Sequence, residues 1–149
     1  MSQINEELKV TGTLKIVVKD ENGDTKDERE VGNLVVTTGR NYIASRMIGT
    51  TPTTMTHMGV GSGTTSPVLA NSQLQSQLGN RVTLTSSTVS ANVVTYTATF
   101  AAGEGTGAVT EAGIFNAATS GVMLCRTTFD VVNKGANDTL AITWSITVN

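Results

Sequence analysis

The stretch TLAITWSITVN at 139–149 alternates without a break: Leu140, Ile142, Trp144, Ile146 and Val148 share one parity, and Ala141, Thr143, Ser145 and Thr147 the other. A period of two places all the large apolar side chains on one face of a strand. That face has to be covered by a second layer, so the pattern demands a sheet with a partner. It recurs at the other end of the chain, in LKVTGTLKIVV, where Leu8, Val10, Leu14, Ile16 and Val18 alternate with Lys9, Thr11, Thr13 and Lys15. It recurs again in NVVTYTATF, with Val94, Tyr96, Ala98 and Phe100 on one side and Thr95, Thr97 and Thr99 on the other. RVTLTSSTVS, VTEAGIF and VMLCRTTFDVV complete a run that is β from residue 81 onward, punctuated by Ser90-Ala91-Asn92, GEGTG, NAATSG and NKGAND. Strands at this spacing predict an all-β fold, an antiparallel β-sandwich of jelly-roll-like form. One domain is expected over 1–149, with 8–36 as an N-terminal hairpin or arm and 81–149 as a continuous β core.

The first hairpin turns at Asp20-Glu21-Asn22-Gly23-Asp24, where Asn-Gly is a turn signal because both residues tolerate positive φ. Its return half, KDERE, is charged, as on an exposed tip or edge. The hairpin is therefore expected to protrude. TTGRNYIASRMIG predicts one short helix near 38–48: Ile43, Ala44, Met47 and Ile48 recur at helical spacing, Thr37 or Thr38 can cap it, and Gly49 can end it. Its apolar stripe should lie on the sheet. GSGTTSPVLANSQLQSQLG reads as loop, with a helical turn near Leu74 to Leu78.

Composition narrows the function classes. The net charge of −2 provides no basic field for nucleic acid or anionic lipid. No apolar run is long enough to span a bilayer as a helix, and MSQINEELKV lacks the basic-then-apolar pattern of a leader, so a soluble protein made in a cytoplasm is expected. Cys125 is the only cysteine, which excludes an internal disulfide and a thiolate metal cluster. With 15% charged residues, the surface must be rich in threonine and serine, which suits a protein packed against neighbours.

Several segments resemble chemical motifs and fail their requirements. HMGVGSGTTSP at 57–67 has the glycines of a phosphate-binding loop but no lysine, and Pro67 precedes any helix. Gly59-Val60-Gly61-Ser62-Gly63 has the wrong third spacing for a dinucleotide fingerprint and no βαβ unit around it. It reads as a short strand running into a loop. His57, the only histidine, has no G-x-S-x-G nucleophile to serve and too few partners for zinc. Glu104 and Glu111 flank GEGTGAVTEAG and could pair as a glycosidase acid and base, yet this stretch has no aromatic residue to stack a sugar. The simpler expectation is that Glu111 pairs with an arginine or caps a turn while Glu104 is a solvated loop residue. Asp20, Glu21, Asn22 and Asp24 lack the EF-hand pattern. Cys125 reads as a small core residue, with Arg126 on the opposite face pairing within the fold or at an interface. No catalytic residue, cofactor, metal or small-molecule substrate is expected.

Taken together, NLVVTTGRNYIASRM at 33–47, HMGVGSGTT at 57–65, ATFAAGEGTGAVTEAGIFNA at 98–117 and MLCRTTFDVVNKGANDTLAITWSITV at 123–148 resemble a family of small tailed-bacteriophage virion structural proteins of the capsid decoration or cement type. The resemblance implies a non-enzymatic β-sandwich module on the outer surface of the head, present in many copies. Its partners would be the major capsid protein and neighbouring copies of itself, as a homo-oligomer. A tail-fibre, baseplate or collar module is the alternative, and a carbohydrate-binding or carbohydrate-acting sandwich, which would expose Tyr42, Tyr96 and Trp144, a remote third. The residues expected to touch the capsid or another subunit are Asn22, Gly23, Asp24, Lys26, Asp27 and Arg29 on the hairpin, with Ser62, Gly63, Glu104 and Gly105 as a second patch of glycine-rich loops.

Overall fold

A computed structural model describes residues 6–49 and 52–149; the start of the stretch read for a leader, and Thr51 in the loop after the helix, lie outside them. The alternating segments form the strands they predict. In chain order these are β1 (Val10–Lys19), β2 (Thr25–Gly32), β3 (Leu34–Val35), helix α1 (Thr37–Arg46), β4 (His57–Gly61), β5 (Val82–Thr83), β6 (Ser86–Ser90), β7 (Val93–Phe100), β8 (Gly107–Phe115), β9 (Met123–Lys134) and β10 (Thr139–Val148). They build two five-stranded sheets, β2-β1-β10-β7-β6 and β3-β9-β8-β4-β5, with every pairing antiparallel. The all-β sandwich with one short helix is thus the fold. Its core lies between the sheets: Leu14, Ile16, Val18, Phe100, Leu140, Ile142 and Trp144 of the first meet Val60, Val109, Ile114, Cys125 and Val132 of the second.

The hairpin at 8–36 is not a protruding arm. β1 is an inner strand, paired along its length with β10 from Val10↔Val148 to Lys19↔Thr139, and Leu14, Ile16 and Val18 are fully buried. A strand whose apolar face is needed by the core cannot be released without unfolding the sheet. Only the turn between β1 and β2 projects. There Asp20 Oδ1 accepts from the backbone N–H groups of Asn22 and Asp24, and Gly23 alone takes positive φ, so the tip is a longer loop than a two-residue Asn-Gly turn. After Gly32 the chain crosses to the second sheet, and β5 and β6 divide one segment between the two sheets in the same way.

α1 buries a different stripe from the one its apolar residues predict. Gly39 and Tyr42 face the sheet, whereas Met47 and Ile48 stand in water beyond the helix end. Gly39 allows this close approach, since a Cβ there would collide with the backbone carbonyl of Leu124, and Thr38 Oγ1 donates to the Met123 carbonyl at 2.8 Å. No threonine side chain caps the helix. Instead the Thr37 N–H donates to the Leu69 carbonyl at 2.9 Å, from a segment far along the chain.

That segment, residues 62–81, is here termed the strap. It holds no helical turn near Leu74; it runs as irregular backbone over the outer face of the second sheet. Leu74 packs there with Val36, Phe115 and Met123 in a second, smaller core. The middle of the second sheet is therefore covered on both faces, and β8 is buried at every residue from Val109 to Phe115.

Candidate functional site

The outer face of the second sheet begins with its glycines. Pairing brings Gly59 beside Gly113 and Gly61 beside Glu111, and Arg126 lies across from Gly113 on the next strand. The alternate glycines of HMGVGSG thus leave a bare stripe on which the strap can settle. A Cβ on Gly61 would lie 2.6 Å from Glu111 Oε2 and run into the Ser76 carbonyl; one on Gly63 would overlap Glu111 and Gln75. At Gly61 and Gly63 the missing side chains let the strap and the Glu111 carboxylate approach the backbone closely.

Glu111 is the centre of this arrangement and is wholly buried. Its Oε1 accepts from Arg126 Nε at 3.0 Å and from the Gln75 N–H at 2.8 Å. Its Oε2 accepts from the N–H groups of Gly63 and Ser76, both at 2.7 Å. One carboxylate therefore pins the strap to β8 at Gly63 and again at Gln75 and Ser76, while neutralising the buried guanidinium of β9. Arg126 continues the network, donating through Nη1 to the Thr65 carbonyl at 2.9 Å and to Asn71 Oδ1 at 3.1 Å. Gln75 serves the loop in the same way, with its Oε1 accepting from the N–H groups of Thr64 and Thr65. Thr110 Oγ1 donates to the Gly63 carbonyl, and at the far end Arg81 lies 3.5 Å from the centroid of Phe115 while donating to the carbonyls of Ala117 and Ser120. Irregular backbone can lie over a sheet only where its polar groups find partners, and this cluster supplies them.

Glu111 therefore pairs with an arginine, as the simpler expectation held, and the partner is Arg126. Both strands carry the signal in sequence: each ion-pair member is a lone charge inside an apolar run, VTEAGIF and MLCRTTF. What pattern could not show is that the two face each other under a loop. Glu104 lies apart on an exposed turn, where its carboxylate caps the Ala101 N–H at 3.2 Å. An enclosed carboxylate and a remote solvated one do not frame a shared cleft for a glycosidic bond.

The residues expected at a contact surface divide into two groups. Asn22, Gly23 and Asp24 are exposed on the projecting tip. Lys26, Asp27 and Arg29 are engaged within the fold. Lys26 Nζ bonds Asp138 Oδ2 at 2.6 Å, and Arg29 holds Asp27 and donates to the carbonyls of Asp130 and Val131, closing the side of the sandwich between β2 and β9. Ser62 is half-buried beside Ser76, and Gly63 and Gly105 are buried, so neither glycine can itself present a surface. Sequence reasoning missed Lys134, which is buried with Nζ on the Ala101 carbonyl at 2.9 Å. Burial lowers its pKa against the opposing pull of Asp138 and Glu104.

The remaining reactive groups are similarly enclosed or engaged. Burial pushes the Cys125 thiol far above its ordinary pKa, which suppresses the thiolate. His57 is half-buried with Nδ1 2.8 Å from Thr56 Oγ1. Tyr42, Tyr96 and Trp144 are 8%, 9% and 0% exposed, so a sugar-binding sandwich loses the rings it would need. An open groove of about 600 Å³ between residues 79–83 and 99–104 is lined mostly by polar side chains and glycine, with no aromatic residue among them. Comparison of the chain with protein-family models, curated proteins and solved structures finds no match.

Proposed function

We propose that the chain is a non-enzymatic structural protein of a bacteriophage virion, made in the host cytoplasm, that decorates the outer surface of the head and joins subunits of the major capsid protein. The observation that favours a docking role is the pair Met47 and Ile48 at the end of α1. They are 85% and 80% exposed, the most exposed large apolar side chains among the described residues. Two adjacent apolar side chains held in water on a low-charge surface are suited to being covered by a partner. Family resemblance supplies the class of partner. Each copy would contribute modest contact area, and the shell would gain from the sum over many copies.

The test is binding of the purified chain to bare capsid shells, followed by electron cryomicroscopy of the intact particle. Regular occupancy of the head at high copy number is expected, reduced by Met47→Glu with Ile48→Glu while the melting temperature holds. Density confined to the tail at low copy number would replace this reading with a tail-fibre, baseplate or collar module.

A further inference from the structure

Two sheets have four edges, and among the described residues three of them are protected. β3 and β5 have two residues each, too short to template a partner strand. β2 carries Lys26, Asp27, Glu28, Arg29 and Glu30 in succession and breaks register against β1 at Val18/Lys19. Charge and irregularity are the usual defences of an edge. The remaining edge, β6, has none of them. Ser86, Ser87, Thr88, Val89 and Ser90 are all exposed, and no charged residue or proline occurs anywhere between Arg81 and Glu104. β6 pairs with β7 alone, so alternate backbone N–H and C=O groups point away from the sheet.

We propose that β6 is an assembly edge and that its occupant is β6 of a second copy, paired antiparallel about a two-fold axis through Thr88 to give one continuous ten-stranded sheet. A two-fold interface uses the same patch twice, so the patch must be self-complementary. SSTVS meets this condition. With Thr88 opposite its own counterpart, Ser87 faces Val89 and Ser86 faces Ser90, all uncharged and small enough for close pairing. On β2 the same arrangement would set Glu28 against its own counterpart, and Lys26, Asp27 and Arg29 of that edge are already engaged within the fold. Side chains also favour β6. Ser87 and Val89 lie beside Tyr96 and Val94 of β7, so they point to the inward side of the sheet. Val89 is 72% exposed there, next to an apolar groove of about 280 Å³ floored by Tyr42, Met55, Val94 and Tyr96. Pairing brings the second copy's Val89 over this groove and takes both valines out of water. The proposal stands apart from the virion reading, since such a pair needs no capsid.

The test is sedimentation equilibrium of the full chain, with Thr88→Lys and Thr88→Cys variants. A concentration-dependent dimer is expected. Thr88→Lys should weaken it about tenfold or more, because two ammonium groups would face each other at the axis, with circular dichroism and melting temperature of the monomer unchanged at this exposed site. Under mild oxidation Thr88→Cys should form a disulfide-linked dimer, since directly opposed strand residues fall within disulfide reach, whereas Ser86→Cys and Ser90→Cys alone should not. Buried Cys125 gives no competing link. A chain that stays monomeric at every concentration overturns the proposal, including one whose Thr88→Lys variant loses binding only to a different protein. So does a dimer indifferent to Thr88→Lys, or one cross-linked through Ser86→Cys and not Thr88→Cys.

Discussion

The two sheets have equal strand counts and share one core, yet they treat their outer faces in opposite ways. On the first sheet the outward positions of β1 and β10 are Thr11, Thr13, Lys15, Ala141 and Thr143, all exposed to water. On the second sheet the corresponding face is roofed by the strap, and holds a buried ion pair, bare glycines and a small apolar core. The comparison shows where polar residues have structural work in this molecule. A threonine on the first sheet is replaceable, whereas the buried carboxylate under the strap accepts from four donors at once.

The sharpest challenge to this contrast is Glu111→Gln. It leaves the Arg126 charge buried and weakens the fixation of the strap at Gly63, Gln75 and Ser76, so a loss of about 3–5 kcal/mol is expected. That corresponds to a fall of roughly 6–20 °C in melting temperature by calorimetry for a chain of this size. A change within experimental error would mean that the strap does not depend on the carboxylate. Gly61→Ala should come next, at about 1–3 kcal/mol, because its methyl group must displace the Ser76 carbonyl or the Glu111 side chain. Denaturant titration would measure it, and a neutral result would refute the close approach of strap and β4.

Smaller effects belong to the first sheet and its links. Lys26 and the Gly135 N–H hold the Asp138 carboxyl below its ordinary pKa. A carboxylate with a lowered folded pKa adds stability above its unfolded value and loses it as pH falls through the folded one. The melting temperature of Lys26→Met should therefore trail that of the parent near neutrality, with the gap narrowing through the acidic carboxylate range. A gap that is constant with pH would remove the ion pair as its cause. Least of all, Lys15→Ala on the open face should leave the melting temperature within experimental error of the parent's, although Lys15 meets Glu28 at 2.8 Å and that bond raises its pKa. Both partners are more than half exposed, so solvent screens the pair.

The same contrast explains how far the sequence could be read. β1, β7 and β10 announce themselves because one face meets the core and the other meets water, which is what alternation records. β8 and the first half of β9 are covered on both sides and show no such period, so parity puts Arg126 on the face opposite Cys125 without revealing that this face is roofed and Arg126 only 1% exposed. The strap was invisible as a layer because it is held by side-chain bonds to backbone rather than by any repeating pattern. Helix α1 was placed correctly, but its buried stripe was misjudged. Gly39 earns its position by having no side chain, a property that hydrophobic periodicity cannot register. Leu8, which shares parity with the core residues of β1, lies beyond the strand and is 74% exposed.

β10 sits between β1 and β7, joined to both along its length. During synthesis the pairs β1-β2 and β6-β7 cannot be joined into one sheet until residues 139–148 have left the ribosome. Pairing across such a sequence separation carries a large loop-closure cost and makes folding slow. The nascent chain must therefore carry exposed apolar strands for the whole time it takes to translate the intervening segment, at about 5–20 residues per second. Its yield in a cell would then be set by how well that waiting period is shielded from aggregation, more than by the stability of the finished sandwich.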